Sequence, residues 1–254
     1  MGTYTVAQLY AKIQELNTQK EALRQAIIGK GVDVSTNVLI DDYDDKISQI
    51  CGHSDINLEY IANGSDSDSN NVKSVYFNTG FVPNANTSIE IKCSGVQISK
   101  EVNVPIISAT NSNWQGFSVF LPMNNGKVTS RLGTSYVSCN AMISNMIYTV
   151  RTYVSGTTAH TLLNGKDYTN STRNTYGSVP AYLFAYNVNG TVNTTVSYSG
   201  LKIYYVKMWN SSNILVKYFI PVLHYVNNQY VPCFYDKING TYIYNLGNDT
   251  PTYK

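Results

Sequence analysis

Few residues of this chain combine a reactive type with a useful spacing. Past residue 54 the only glutamates are Glu59, Glu90 and Glu101, and none has an acidic residue two or three positions on. Glycosidic hydrolysis with retention requires two carboxylates about 5–5.5 Å apart, and Glu90 alternates with Ile89 and Ile91, which places it on the solvent face of a strand. His53, His160 and His224 have no partner at metal-ligand spacing, and Cys51-x-His53 alone is a weak signal. Asp66 and Asp68 form a D-x-D that could hold calcium in a loop. The surrounding NGSDSDSNN (63–71), with no apolar residue, reads better as a loop or hinge. No G-x-S-x-G, P-loop or dinucleotide fingerprint occurs. The expectation is a non-enzyme without cofactor or bound metal.

What remains is uncharged recognition chemistry. Aromatic faces suit the C–H surfaces of sugars, and amide side chains suit their hydroxyls. Asn111, Asn113 and Trp114, then Tyr153, then Tyr168 and Asn170, then Tyr176 supply that mixture and are the candidate glycan-binding residues. Composition agrees. The chain has 22 tyrosines among 254 residues, only 13% charged residues and a net charge of +2, which leaves no cluster of Lys and Arg for nucleic acid. The same Asn-rich wording yields sequons at Asn63-Gly-Ser and Asn239-Gly-Thr by composition alone. Cys51, Cys93, Cys139 and Cys233 are far apart, without a C-x-x-C pair, and read as buried thiols.

Two kinds of element must carry these residues. Over Thr5–Ile28 apolar residues recur at three-and-four spacing. Val6, Ile13, Lys20 and Ile27 take heptad position a, and Leu9, Leu16 and Leu23 take d. Thr5 and Gln8 form a T-x-x-Q capping box, and Gly29 and Gly31 mark the stop. Such a helix is marginal alone, so these seven seam positions are expected to associate with other copies in a coiled coil or small bundle. Branched a residues with Leu at d favour two strands, and Lys20 interrupts the seam as a register device or a snorkelling side chain. A second short helix is expected around Ile40, Tyr43, Ile47 and Ile50, opened by Asp41, Asp42, Asp44 and Asp45.

Beyond residue 71 the period changes to two. Alternating sets are Ile89/Ile91/Cys93, Phe117/Val119/Leu121, Met146/Tyr148/Val150/Val154, Tyr182/Phe184/Tyr186, Leu201/Ile203/Tyr205 and Ile214/Val216/Tyr218/Ile220. The fold expected is α+β and multidomain: a helical coiled-coil or bundle segment over 1–53, then an antiparallel β jelly-roll sandwich over 54–254. No leader sequence and no apolar run of 18 residues is present, so synthesis in the cytosol without membrane insertion is expected.

Three stretches carry a resemblance. Asn78–Lys92 (NTGFVPNANTSIEIK), Tyr182–Gly190 (YLFAYNVNG) and above all Leu201–Thr252 resemble concanavalin A-like lectin/glucanase (LamG-like) sandwiches carried by proteins of bacteriophages and gut bacteria. The anchors are Tyr204, Tyr205, Phe219, Pro221, Tyr235, Asp236, Gly240, Tyr244 and Asn245. Lys217-Tyr218 stands where that wording has Arg-Asp, which implies the loss of an internal ion pair. Related glucanases carry an E-x-D-x-x-E strand that this chain lacks. Separately, Leu23–Ile47 resembles an N-terminal module of phage tail and other virion appendage proteins. Together the resemblances imply a virion protein: a three-fold homo-oligomer attached to other virion proteins through its N-terminal stem, with a lectin-like domain facing host-surface polysaccharide.

Overall fold

A computed structural model describes residues 5–32, 34, 54–68, 71–95, 102–121, 126–173, 175–195, 197–227 and 229–254, with the side chain of Asp68 outside that description. The chain separates into two compact units, one of residues 1–56 with 224–231 and one of 57–223 with 232–254.

In the first unit, helix α1 (Val6–Ile28) starts at the expected capping box. The Gln8 N–H donates to Thr5 Oγ1 at 3.3 Å, and the Thr5 N–H donates to Gln8 Oε1 at 2.8 Å. At the other end Gly29 keeps right-handed geometry and Gly31, at φ +83°, makes the reversal. The reversal folds Val32 and Val34 onto Ile27, and the Arg24 Nε–H donates to the Val34 carbonyl at 2.9 Å. Ile27 is thereby covered by its own chain. Val6, Leu9, Ile13, Leu16 and Leu23 stay exposed, Val6 by 84%. The expected coiled-coil or bundle segment is therefore not what forms: among the described residues there is one α-helix, with no second α-helix against its seam. Three-and-four spacing records that a helix has an apolar stripe, and carries no information on what covers the stripe. The expected second helix near residues 40–50, the acidic run with it, and Cys51 and His53 lie outside the described residues.

The second unit is built almost wholly of strands. In chain order they are β1 (Ile56–Asn57), β2 (Ile61–Ala62), β3 (Phe77–Asn78), β4 (Ser88–Ser94), β5 (Pro105–Thr110) and β6 (Gly116–Phe120). Next come β7 (Lys127–Gly133), β8 (Ser135–Ala141), β9 (Tyr148–Ser155), β10 (Thr158–Leu163), β11 (Lys166–Ser171), β12 (Tyr182–Leu183) and β13 (Tyr186–Val188). The last are β14 (Thr191–Asn193), β15 (Lys202–Trp209), β16 (Leu215–Val226), β17 (Gln229–Asp236), β18 (Thr241–Tyr244) and β19 (Thr252–Tyr253). One sheet has the order β11-β10-β9-β4-β15-β16-β17-β18, with β2 bridging β15 and β19. The other has the order β14-β13-β5-β6-β7-β8, with β12 between β3 and β5. Apart from the parallel contact of β13 with β5, the ladders are antiparallel. This is an antiparallel β-sandwich.

The core lies between the sheets. Ile89, Ile91 and Cys93 of β4, with Val206 and Met208 of β15, meet Ile107, Phe117, Val119, Leu132 and Val137 of the other sheet in one buried cluster. Turn chemistry fixes the register. Asn164-Gly165 joins β10 to β11 with φ of +50° and +83°, and Asn189-Gly190 joins β13 to β14 with +50° and +90°, the doubly left-handed pairs that two-residue hairpins prefer.

Four of the alternating sets run differently from the sequence pattern. A bulge between Ile203 and Tyr205 turns Tyr205 to the outer face while Val206 and Met208 point inward. In β16 the inward residue is Phe219, paired with Val206, so Tyr218 faces out beside Lys207 and Ile214 is exposed. Tyr182, Phe184 and Tyr186 do not share a face, because Phe184 at φ +63° interrupts the strand. Met146 precedes β9 and is exposed.

The wording that carried the resemblance is explained by buried polar anchors. Asn245 Oδ1 accepts from the Tyr76 and Gly247 N–H groups, both at 3.0 Å, tying the C-terminal turn to the strand that opens the sandwich. Asp236 accepts from the Tyr218 N–H at 3.1 Å, the Ile238 N–H at 3.1 Å and Asn239 Nδ2 at 2.6 Å. Lys217 Nζ lies 3.0 Å from the same carboxylate. The internal ion pair is present after all, because lysine reaches where arginine was expected. Asn63, a sequon asparagine, is fully buried: its Oδ1 accepts from the Leu201 N–H at 2.9 Å and its Nδ2 donates to the Tyr198 carbonyl at 2.8 Å. Cys93, Cys139 and Cys233 are buried thiols.

Candidate functional site

The outer face of the β5–β8 sheet is where this unit departs from an ordinary solvated surface. Alternation sends Phe117, Val119, Val128, Leu132 and Val137 into the core, and Ser118, Phe120, Thr129, Arg131 and Tyr136 to the opposite side. On that side Ser108, Ser118, Thr129 and Phe120 are nonetheless buried. Register lines up Ser108, Ser118, Arg131 and Tyr136 as one row across β5, β6, β7 and β8. The Ser108 and Ser118 hydroxyls lie 2.7 Å apart.

Two strained residues wall this floor with aromatic rings. Phe184 at φ +63° breaks the alternation between β12 and β13, so its own ring enters the core against Phe77 while Tyr186 swings outward. There Tyr186 packs on Phe120, centroids 5.9 Å apart, and its hydroxyl donates to the Asn103 carbonyl at 3.0 Å. Trp114, at φ +61°, closes the β5–β6 turn. Asn111 holds that turn: its Oδ1 accepts from the Asn113 N–H at 2.9 Å and the Gln115 N–H at 3.0 Å, and its carbonyl accepts from the Trp114 N–H at 2.9 Å. The Trp114 ring meets Tyr186 edge to face at 5.1 Å and stays 41% exposed. A left-handed bulky residue costs on the order of 1–2 kcal/mol. Two of them flank this face: Trp114 presents its own ring, and Phe184 sends Tyr186 outward.

The result is a cavity of about 420 Å³, within the ~300–1,000 Å³ range of small-molecule sites. Trp114, Phe120, Tyr136 and Tyr186 give its aromatic wall; Asn103, Thr110, Ser118, Asn193 and Thr195 give its neutral polar groups; among the described residues Arg131 is its one charge. Burial, with Tyr136 close by, pushes the Tyr186 hydroxyl well above the usual tyrosine value, and Arg131 opposes that only in part.

The sequence candidates are distributed rather than gathered. Trp114 lines this cavity, with Asn111 as the builder of its turn and Asn113 exposed on it. Tyr153 lines a different cavity of about 370 Å³ on the outer face of the β4–β9 sheet, with Asn86, Ser88, Arg151, Asn210 and Asn213. The Tyr153 ring stacks on His160 at 4.6 Å, whose Nδ1 lies 2.9 Å from Asp167 Oδ2. In this second cavity Arg151 lies over the Trp209 ring at 4.7 Å. Tyr168 and Tyr176 pack on the core, where burial pushes the Tyr176 hydroxyl up to about 12. Asn170 Nδ2 donates to the Tyr136 carbonyl at 2.9 Å. Sequence reasoning missed Asn103, Arg131, Tyr136, Tyr186 and Asn193; the signal was there in Ser108, Ser118 and Thr129, small polar residues alternating with core positions on adjacent strands.

The carboxylate and metal candidates sit elsewhere. Glu90 is on the outer face of β4, accepts from the Tyr205 hydroxyl at 3.0 Å, and has Lys207 Nζ at 3.9 Å. Its register partners on either side are Arg151 and Lys207. Among the described residues no three of His, Cys, Asp and Glu group as metal ligands. Asp66 Oδ2 is bound by Lys202 Nζ at 2.7 Å, so the calcium position of the D-x-D already faces a cation. No described helix is long and apolar enough to cross a membrane.

No known family profile and no curated protein sequence matches the chain. The solved structures similar in part include two. One is a native heptameric SAP-like pentraxin from Limulus polyphemus, with TM-score 0.43 and 15% identity, covering 60% of this chain and 76% of that one. The other is the full-length tailspike protein 2 of Escherichia coli O157:H7 bacteriophage CAB120, with TM-score 0.37 and 13% identity, covering 62% of this chain and 26% of that one. The chain thus spans about a quarter of the tailspike. At TM-scores below 0.5 neither likeness extends to function.

Proposed function

We propose that this chain is a non-catalytic binding protein of a phage virion, whose β-sandwich contacts host-surface glycans and whose N-terminal unit attaches it to other virion proteins or further copies. The observation that carries the reading is the outer-face cavity. It combines the exposed ring of Trp114, backed by the largely buried ring of Tyr186, with neutral amides and hydroxyls at Asn103, Asn193, Thr110 and Thr195, the pairing that suits the C–H faces and hydroxyls of sugars. Strain held at Trp114 and Phe184 supports it, because backbone cost of this kind concentrates at sites of function. Against hydrolysis stands the setting of Glu90, between Arg151 and Lys207 in register and hydrogen-bonded by Tyr205. The virion assignment rests on the wording of Leu23–Ile47 and Leu201–Thr252.

The direct test is a glycan array probed with the full chain and with Trp114→Ala, alongside immunogold labelling of virions. Binding that Trp114→Ala weakens at least tenfold, with label on the particle, is the expected result. A silent array leaves a purely structural protein, and an unlabelled particle removes the virion assignment.

A further inference from the structure

Polar atoms in this sandwich are generally well matched. Asp236, the buried carboxylate, has four donors, and Asn63 and Asn245 are satisfied on both sides of their amides. The exceptions among the described residues gather largely at the two outer-face cavities: Arg151 Nε and Ser88 Oγ at the one on the β4–β9 sheet, where Arg151 has Glu90 as its register partner, and a further set at the one on the β5–β8 sheet. Arg131 Nε is buried without a hydrogen-bond partner, and so is Asn103 Oδ1, which lines the same space. Thr129 Oγ1, two positions before Arg131 on the same face of β7, is a third. The Arg131 guanidinium stacks over the Tyr136 ring at 4.9 Å, and no carboxylate lies within ion-pair distance of it among the described residues. Among the described residues no Asp or Glu lines the cavity.

A half-buried cation with an unmade bond is costly in a folded protein, and more so than a neutral donor. Here it is also held in place: Arg131 is the third member of the cross-strand row from Ser108 to Tyr136, with its planar face against an aromatic ring. A guanidinium fixed this way offers a fork of N–H groups that matches a carboxylate or phosphate better than any neutral hydroxyl. The empty acceptor at Asn103 Oδ1 asks for a donor, which a sugar hydroxyl supplies.

We propose that the cavity is selective for an anionic saccharide, with a carboxylate or phosphate oxygen paired to Arg131, a ring hydroxyl donating to Asn103 Oδ1, and the sugar face against Trp114 and Tyr186. This rests on the glycan-binding reading above and adds a charge requirement to it. A neutral glycan leaves the cation unpaired and is discriminated against, as sites built around a buried polar group reject ligands that lack its partner.

The test is calorimetric titration of the full chain with a panel of uronate, sialic acid and glycerol-phosphate oligosaccharides. Each uronate and sialoside is paired with its carboxyl-reduced form, and each phosphate polymer with its dephosphorylated backbone. The expected result is at least tenfold tighter binding to one anionic member than to its neutral twin, and the wild-type comparison alone decides this without any variant. Arg131→Gln is expected to bring the two twins to equal affinity, Arg131→Lys to recover part of the difference, and Arg151→Gln to leave it intact. The carboxylate and phosphate arms identify which oxyanion is taken. Equal affinity for charged and neutral twins overturns the charge requirement and spares glycan binding. A difference lost in Arg151→Gln but kept in Arg131→Gln also overturns it, by moving the anion to the other sheet. No binding to any member overturns both readings.

Discussion

Lys217 Nζ lies 3.0 Å from Oδ2 of Asp236, a carboxylate with no solvent exposure. Burial alone disfavours its charge, but the donations from Asn239, the Tyr218 N–H, Lys217 and the Ile238 N–H outweigh burial and hold its pKa below the usual value. Breaking a buried pair from one side costs about 3–5 kcal/mol. Asp236→Asn, which also turns an amide towards existing donors, is expected to lose that much, at roughly 2–4 °C of Tm per kcal/mol for a domain of this size. Because the folded pKa is lowered, this stabilisation is complete above the unfolded carboxylate value of about 3.9. It is lost as pH falls through the folded pKa. Urea denaturation of both proteins should therefore give a constant difference from pH 7 to 5 that narrows below about pH 4.

Trp114 tests whether strain and binding are linked. At φ +61° an alanine keeps the backbone cost and a glycine removes it. Trp114→Gly is expected to be about 0.5–1 kcal/mol more stable than Trp114→Ala, after allowing for the greater unfolded freedom of glycine. Both should weaken glycan binding equally. Thermal melts and array signals on the two variants check each half.

Two glycines separate strain from collision. Gly133 has φ +62°, and an added Cβ would run into the Arg173 carbonyl. Gly165 has φ +83° with open space around the position. Gly165→Ala is expected to cost about 1–2 kcal/mol from backbone conformation alone. Gly133→Ala adds steric displacement of a backbone carbonyl, for about 1–3 kcal/mol more. Chemical denaturation of the pair measures the difference.

Burial pushes the Cys93 and Cys139 thiols up to about 12, Cys139 with a smaller contribution from Asp167. At pH 8 both are almost wholly protonated and shielded, and thiolate is the reactive form. Alkylation followed by peptide mass spectrometry should leave these two unlabelled in the native protein and label them fully in denaturant. Labelling of either in the folded state at pH 8 would contradict the packing described for β4 and β8.

Strand periodicity was legible wherever backbone geometry was regular. Ile89, Ile91 and Cys93, and Phe117, Val119 and Leu121, point inward as their alternation predicts. It failed at single irregular residues: the bulge at Ile203–Tyr205, the left-handed Phe184, and β16, where Phe219 rather than Tyr218 and Ile220 is the core residue. A one-residue irregularity inverts every side chain after it, and no composition records it. The helix and its capping box were legible, but its partner was not, since a stripe does not name what covers it. Of the cavity, Trp114 and its Asn111 turn could be read. Alternation on β6 and β7 marked the outward row, but Arg131 on it looks the same whether it meets water or a neighbouring ring, and Asn103 lies before β5, where no alternation marks it.

The cavity also divides by what each part owes to the fold. Its floor, the row from Ser108 to Tyr136, belongs to four ladder-paired strands, so a change there disturbs the register of the sheet. Its rim is a turn held by Asn111, through its side chain and its backbone, which leaves the side chains of Ser112, Asn113 and Gln115 free to vary while Trp114 keeps its angle. Under changing selection this arrangement lets ligand choice drift by a few codons in one turn, with the charge preference inherited unchanged from the sheet beneath.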